Sequence, residues 1–395
     1  MKDLILRKGA DKRVRSGHLW VYSNEVDTKR SPLHSYAAGD CVQVLDAGGG
    51  LLGSAYMEPQ SLICARVFAQ GESCELDLNT VRRAIGIALS SRQSAFSQPC
   101  YRLVYGDSDM LPGLVVDRFR DHLVVQLNNA GIERYEQLII AALVELLEPK
   151  GILLRADSRA RRDQGLEDRI EAVYGEVPNT IEFSENGVKF LAPVWDGQKT
   201  GWFYDHRMSR ARLANYVSDS AVLDVYSYIG GWGIQAAAFG AASVCCLDSS
   251  VPALERVMDN ARLNGVEGKV STRQGSAAET MASMAAEGLQ YDVVVLDPPA
   301  FIQRRKDIKK GIAAYRRINE LGLRLLAPGG VLVSGSCSMH LSRADLIQAM
   351  GGAAQRAGCR LQVIEQGAQG PDHPIHPAIP ETEYLKAVFA RRLPR

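Results

Sequence analysis

The stretch Val222-Leu223-Asp224-Val225-Tyr226-Ser227-Tyr228-Ile229-Gly230-Gly231-Trp232-Gly233 decides how the second half of the chain folds. A short apolar run ends in an acid. The glycines that follow let the backbone approach a ligand closely at the carboxyl end of a first strand, where open α/β sheets bind their ligands. Working outward, apolar strands recur at Ser243 to Leu247, Tyr291 to Leu296 and Val331 to Val333. Helical stretches near 232–239, 251–264, 312–326 and 343–357 interleave with them. Strands alternating with helices of about 10 to 15 residues imply a parallel, doubly wound sheet.

The glycine spacing is not the G-x-G-x-x-G of a dinucleotide site. An acid closing the strand also opposes a pyrophosphate, because two negative groups would be forced together, whereas it suits a cationic or hydroxyl-rich ligand. The next strand ends at Asp248, 24 residues on (248 − 224), where a carboxylate accepts hydrogen bonds from ribose hydroxyls. Together these features point to S-adenosyl-L-methionine, whose sulfonium and amino group tolerate a nearby carboxylate. The expected cofactor set is Asp224, Ser227, Tyr228, Gly230, Gly231 and Asp248. The plainer reading of the two acids is that they cap loops.

A later strand ends in Asp297-Pro298-Pro299-Ala300-Phe301. Two prolines stiffen the backbone and remove two amide donors, which holds a carboxylate and carbonyls toward a planar substrate. Turns of this kind are typical of methyltransferases acting on nucleobases. Amino-directed adenine enzymes place an aromatic directly after the prolines, and here Ala300 intervenes. Three residues after Phe301 begins a basic run, Arg304, Arg305, Lys306, Lys309, Lys310, Arg316 and Arg317, against Asp307 alone. An isolated charge run is ordinarily a solvated face, but this one would flank the site mouth, where polynucleotide phosphates could lie.

The strand through Val333 delivers Ser336-Cys337-Ser338 to the same edge. Most cysteines are small core residues, yet the position of Cys337 suits a nucleophile. Carbon 5 of a pyrimidine is a poor nucleophile, so its methylation requires a thiolate to add at carbon 6 and make an enamine. A thiol of ordinary pKa, about 8.5, is mostly protonated at neutral pH, so a nearby donor or cation must assist it.

The whole chain has 395 residues, enough for two or three domains, with 46% hydrophobic and 23% charged residues and a net charge of +1. That is an ordinary globular composition. Residues 1–72 carry short alternating segments such as Cys41-Val42-Gln43-Val44-Leu45 between Gly-rich turns, a small β domain. Residues 73–181 mix helical stretches, Leu78 to Arg92 and Tyr135 to Leu147, with strand candidates at Leu114 to Phe119 and Leu123 to Leu127, an α+β block. Residues 182–395 are the α/β block. Residues 1 to 30 hold eight Lys/Arg against four acids, which makes Arg13 and Arg15 further candidates for RNA contact. None of the eight cysteines forms a C-x-x-C pair, so neither disulfides nor a metal site are expected. No apolar run reaches the roughly 18 residues of a membrane helix, and Leu4-Ile5-Leu6 is too short for a signal-peptide core. A cytoplasmic protein with no membrane partner is the expectation.

Several motifs together carry a family resemblance. They are Gly17-His18-Leu19-Trp20-Val21-Tyr22-Ser23, Tyr105-Gly106-Asp107-Ser108-Asp109, Leu111-Pro112-Gly113 and Val116-Asp117-Arg118-Phe119. Further on come Gln198-Lys199-Thr200-Gly201-Trp202-Phe203-Tyr204-Asp205-His206-Arg207, the Asp224 loop, Asp297-Pro298-Pro299, Ser336-Cys337-Ser338 and Asp372-His373-Pro374. In this order the chain resembles, over essentially its whole length, the bacterial 23S ribosomal RNA cytosine-C5 methyltransferases of the large-subunit methyltransferase I type.

The resemblance implies an amino-terminal PUA-like RNA-binding β domain, a central α+β domain and a Rossmann-like class I methyltransferase domain. It implies S-adenosyl-L-methionine as cofactor and 23S ribosomal RNA as partner, and a homodimer is compatible with it. Cys337 would add to carbon 6 of a cytosine drawn into the pocket, with Asp297 bonding the base edge near N3. Glu381 matches a family position and is the candidate base for the carbon-5 proton, its plainer readings being a surface acid or helix cap. Thr200 and Tyr204, with Lys199 and Arg207, would close over cofactor or RNA, unless this segment is an ordinary surface loop. The chain departs from the family twice. Gly275-Ser276 stands where a Gly-Asp pair is usual, leaving Ser276 to accept from the adenine amino group without charge assistance, and Ala300 stands where Lys is frequent. A uracil-C5 enzyme, a base amino-group methyltransferase and an RNA-binding or ribosome assembly factor without turnover all stay open.

Overall fold

The structure is a computed structural model and describes residues 1–393. Two compact units divide the chain. The first comprises Met1–Phe183, Ala192–Tyr204 and Pro371–Thr382; the second comprises Ser184–Leu191, Asp205–Gly370 and Glu383–Arg395.

In the first unit, strands β1 (Lys2–Ile5), β2 (Trp20–Tyr22), β3 (Cys41–Leu45), β4 (Leu51–Met57) and β5 (Ile63–Gln70) form a sheet of order β1-β3-β4-β5-β2. The alternation in β3 buries Val42 and Val44 and leaves Cys41, Gln43 and Leu45 half-buried, as a period of two requires. Strands β6 (Cys100–Tyr105), β7 (Leu114–Phe119), β8 (His122–Leu127), β9 (Gly151–Ala156) and β10 (Arg169–Gly175) form the second sheet, ordered β10-β9-β8-β7-β6. β7 and β8 form the expected hairpin, with Phe119 opposite His122. β8 and β9 run parallel because the helix Glu136–Leu147 carries the chain across between them. The helix Leu78–Ala95 starts where Asp77 accepts from the Thr80 amide at 2.8 Å.

The blocks expected over 1–72 and 73–181 share one compact unit. Tyr56 of β4 is fully buried in the core of the second sheet; its hydroxyl donates to Pro112 O at 2.7 Å and accepts from Asn129 Nδ2 at 3.1 Å. Trp20 Nε1 donates to Asp107 at 2.7 Å. Buried ion pairs then lock the unit. Arg92 grips both oxygens of Asp109 at 2.7 Å and donates to Asp372 O at 2.9 Å. Arg102 grips Asp117 at 2.7 and 2.8 Å. The motifs around Tyr105, Asp117 and Asp372 are therefore scaffold in this unit.

β11 (Ile181–Glu185) and β12 (Val188–Ala192) form a two-stranded sheet. The second unit holds β13 (Ala221–Val225), β14 (Ser243–Asp248), β15 (Val270–Gln274), β16 (Tyr291–Leu296), β17 (Leu326–Ser336), β18 (Arg360–Gly367) and β19 (Lys386–Leu393), in the order β15-β14-β13-β16-β17-β19-β18. Helices Gly233–Ala238, Val251–Leu263, Ala277–Ala286, Ile308–Leu325 and Arg343–Arg356 alternate with the strands. This is the α/β, Rossmann-like arrangement expected, with one correction to the parallel sheet: β19 runs antiparallel to both its neighbours. Its amino end therefore lies at the edge where the parallel strands have their carboxyl ends.

Because Arg92 is 1% exposed, removing its partner strands a charge away from water. We expect Asp109→Ala to lower unfolding free energy by about 3–5 kcal/mol in urea titrations. A loss under about 1 kcal/mol would show that the pair is not a lock.

Candidate active site

The loop after β13 is conformationally strained. Tyr226 (φ +65°), Tyr228 (φ +50°) and Gly230 (φ +87°) are all left-handed, and each of the two tyrosines costs about 1 kcal/mol or more in that region. Asp248, at the end of β14, holds the loop by accepting from the Tyr228 amide at 2.9 Å, while its other oxygen accepts from the Ser250 amide at 2.9 Å. Asn260 donates to Ile229 O at 2.9 Å. Asp224 is fully buried, and its Oδ2 accepts from the Gly233 amide at 2.8 Å. A Cβ on Gly233 would lie 2.5 Å from Cys246 Sγ, so only glycine fits there. Burial pushes the Asp224 carboxyl up to about 7, although the Gly233 amide opposes this. Among the described residues, Asp224 Oδ1 and Ser227 Oγ are buried with no hydrogen-bond partner. Two unsatisfied polar atoms at the carboxyl edge of a sheet suit a ligand that brings N–H or O–H donors.

Asp297 follows β16 with its side chain 23% exposed. Its Oδ2 accepts from Trp232 Nε1 at 3.0 Å, and its Oδ1 lies 3.1 Å from Nε2 of His206. Burial pushes the Asp297 carboxyl up, but His206 and the Trp232 indole outweigh it and hold it below its ordinary value. For His206, which is 3% exposed, burial pushes the imidazole down. Asp297 and then Asp205 outweigh burial against an opposing Arg210, and the net shift is upward. Each side chain thus favours the charged form of the other. Asp205 in turn accepts from the Tyr384 hydroxyl at 2.6 Å.

Cys337 sits half-buried just past the end of β17. The serines on either side fix it. Ser336 Oγ donates to the Tyr315 hydroxyl at 2.8 Å, and that hydroxyl is 2.9 Å from Ser338 Oγ. The Ile302 amide also donates to Ser338 Oγ, at 3.2 Å. Phe301 packs its ring on Tyr315, with centroids 4.9 Å apart. Lys386, 5% exposed, donates to Ser338 O at 2.7 Å and to Tyr384 O at 2.8 Å.

The second unit therefore brings Asp224, Ser227, Tyr228, Gly230, Gly231, Asp248, Asp297 and Cys337 to one edge of one sheet. Ser276 is exposed at the head of the helix Ala277–Ala286, its hydroxyl not used as a cap. Thr200, Tyr204 and Glu381 belong to the first unit. There Thr200, fully buried, donates to Asp117 at 2.5 Å, and Tyr204, also fully buried, donates to Arg118 O at 3.0 Å. Glu381 lies in the turn Pro380–Thr382, its Oε2 buried and without a hydrogen-bond partner among the described residues. Arg13 pairs with Glu25 at 3.2 Å and lies over the Tyr22 ring, while Arg15 pairs with Asp11 at 2.6 Å and with Asp46. Arg304, Arg305, Lys306, Lys309 and Lys310 are exposed and make no ion pair among the described residues. Also among those residues, no group of three or more His, Cys, Asp or Glu is placed to hold a metal, and no helix is long and apolar enough to cross a membrane.

Residues 108–391 match the model of the S-adenosylmethionine-dependent methyltransferases, and residues 4–70 match that of the PUA-like domain. A protein of Aliivibrio fischeri named ribosomal RNA large subunit methyltransferase I is 33% identical over 393 residues, covering 98% of each chain. One of the same name from Aeromonas salmonicida is 34% identical over 396 residues, again covering 98% of each. The chain belongs to the ribosomal RNA large subunit methyltransferase I family. It is a methyltransferase dependent on S-adenosylmethionine, and the unsatisfied Asp224 Oδ1 and Ser227 Oγ fit a ligand that brings amino and hydroxyl donors. A SAM-dependent methyltransferase from Streptococcus mutans shares the fold at a TM-score of 0.83 and 18% identity, covering 99% of this chain and all of its own. A methyltransferase complexed with SAH does so at 0.85 and 18%, with the same coverage.

The mutual charging of His206 and Asp297 is open to direct titration in this methyltransferase. In ring-labelled protein, with His206→Gln assigning the signal, we expect His206 to titrate above the usual value of about 6.5. In Asp297→Asn it should fall below that value, because burial is then less opposed. An unchanged midpoint would contradict the pairing.

Proposed function

We propose that the chain methylates carbon 5 of a cytosine in 23S ribosomal RNA through a thiolate adduct of Cys337 at carbon 6. The observation that carries this is the placement of a half-buried cysteine at the same sheet edge as Asp297, its loop tied on both sides to Tyr315. An amino-group methyltransferase needs no such thiol. The packing of Phe301 on Tyr315 also speaks against that chemistry, since it engages the first aromatic after the prolines.

In this reading Asp224, Ser227, Tyr228, Gly230, Gly231 and Asp248 hold the cofactor, with exposed Ser276 near the adenine end. The bound cofactor supplies an electrophilic methyl carbon on a sulfonium. Cys337 donates its sulfur electron pair to carbon 6, which makes carbon 5 an enamine carbon able to take the methyl by in-line displacement. Asp297, its ionised form favoured by His206 and Trp232, accepts from the cytosine edge, and the His206 imidazole, its Nε2 3.1 Å from Asp297 Oδ1, stands behind it as a proton source for the nitrogen that gains electron density as the adduct forms. Glu381 is the acid that the family resemblance assigns to removal of the carbon-5 proton, and Glu381→Gln tests that assignment separately. The ribosomal target follows from the names of the relatives, which are ribosomal RNA large subunit methyltransferases. The exposed cations from Arg304 to Lys310 are suited to phosphate contact, whereas Arg13 and Arg15 already have protein partners. No step calls on a second copy of the chain.

The test is transfer of labelled methyl to deproteinised 23S RNA, with the product nucleoside identified by mass spectrometry. Wild type should yield 5-methylcytidine, and Cys337→Ala should lose about a thousandfold or more in rate. Label retained in Cys337→Ala would exclude the adduct, methyluridine would move the target to uracil, and an N-methylated base would overturn the reaction class.

A further inference from the structure

Lys386 has an environment that its role in the fold does not explain. It is 5% exposed, yet among the described residues it forms no ion pair; its ammonium donates only to the carbonyls of Ser338 at 2.7 Å and Tyr384 at 2.8 Å. Two carbonyls satisfy two of its three N–H donors and none of its charge. Other buried cations of this chain are treated differently, Arg92 against Asp109 and Arg210 against Glu185 each being bidentate. A buried ammonium without a counter-ion is costly, and a methionine would fill the same space without that cost.

The sheet topology puts this cation beside the nucleophile. β19 is antiparallel to β17, and their last paired residues are Ser336 and Lys386. One residue beyond that pair is Cys337, and one further is the carbonyl that Lys386 bonds. We propose that Lys386 is the counter-cation of Cys337: as an amine it takes the thiol proton, and as an ammonium it then balances the thiolate. The S–H bond breaks with its electron pair left on sulfur, the proton forms an N–H bond, and the total charge of the pair is unchanged. Released from carbon 6 at the end of the reaction, the sulfur returns as a thiolate to the same ammonium.

The charged groups around the pair agree with this. Burial is the largest influence on Lys386 and pushes it down to about 8, while the negative form of Cys337 raises it, Arg343 at the start of the helix Arg343–Arg356 lowers it and Glu383 raises it. From the helix Ile308–Leu325, Tyr315 also feels Cys337. An ammonium brought down to about 8 lies close to the roughly 8.5 of an ordinary thiol, so such a pair can exchange a proton near neutral pH. Lys386 acts through Cys337 and is a positioning residue, not a group that touches the base.

The inference rests on the proposed use of Cys337, but its test needs neither RNA nor cofactor. The full-length protein is treated with iodoacetamide between pH 6 and 10, and labelling is followed on the tryptic peptide Leu325 to Arg343, in which Cys337 is the single cysteine. We expect the wild-type rate to reach half its maximum below the pH of an ordinary thiol, about 8.5. Lys386→Met should move that midpoint up and slow alkylation at pH 7 by about tenfold, whereas Lys386→Arg, which keeps the cation but cannot take the proton itself, should hold the midpoint below that of an ordinary thiol. Thermal melts check that the variants are folded. If Lys386→Met does not fold, the wild-type midpoint decides: below about 8.5 supports the pairing, and at or above that value overturns it. Identical profiles for wild type and a folded Lys386→Met also overturn it. A depressed, Lys386-dependent midpoint in a protein that makes no 5-methylcytidine would leave the pairing standing and remove the cytosine reading.

Discussion

Taking an ion out of water costs several kcal/mol unless an opposite charge replaces the lost hydration, and this chain buries many ions. Asp109 meets Arg92, Asp117 meets Arg102 and Glu185 meets Arg210, each through two hydrogen bonds. In those places the pair fixes the geometry of a loop or a sheet edge. Among the described residues, two buried titratable groups break the pattern. Asp224 keeps one oxygen without a donor, and Lys386 has carbonyls but no acid. Both stand at the carboxyl edge of the seven-stranded sheet. A group left uncompensated by the protein is available to something else, which in the proposed reading is a cationic cofactor in one case and a thiolate in the other. Asp297 and His206 stand between these cases, since each compensates the other and the acid still has an exposed face.

The topology makes this arrangement possible. Parallel strands deliver their carboxyl ends, and the residues that follow them, to one edge; hence the Asp224 loop, Asp248, Asp297 and Cys337 converge although they are spread over more than a hundred residues. A sheet of parallel strands alone would have brought only strand ends and the loops beyond them. By running the other way, β19 brings a strand beginning, and with it Lys386, to the same place.

Much of this was legible in the sequence, for local reasons. The Asp224 loop, the Asp-Pro-Pro turn and the Ser-Cys-Ser segment each follow an apolar strand whose length and flanking breakers are visible within about ten residues. The alternation in Cys41 to Leu45 gave away a half-buried strand in the same way. What was not legible depends on contacts far apart in the chain. His206 was quoted within a motif, yet nothing nearby in sequence names Asp297 as its partner. Lys386 lies 48 residues from the carbonyl it bonds and belongs to a strand the apolar pattern did not single out. Tyr315 reads as an ordinary apolar position of a helix until its hydroxyl is seen between two serines. Tyr56 and Trp20 bond Pro112 and Asp107, so residues 1–72 and 73–181 are joined by hydrogen bonds that no periodicity records.

The central claim is that carbon 5 of a cytosine is the atom that reacts, and the hydrogen leaving that carbon reports on it most directly. In 23S RNA carrying tritium on carbon 5 of cytidine, the account predicts release of tritium to water in step with methyl incorporation, dependent on Cys337. RNA tritiated on carbon 5 of uridine should release none. Methyl incorporation without tritium release from cytidine would contradict the account.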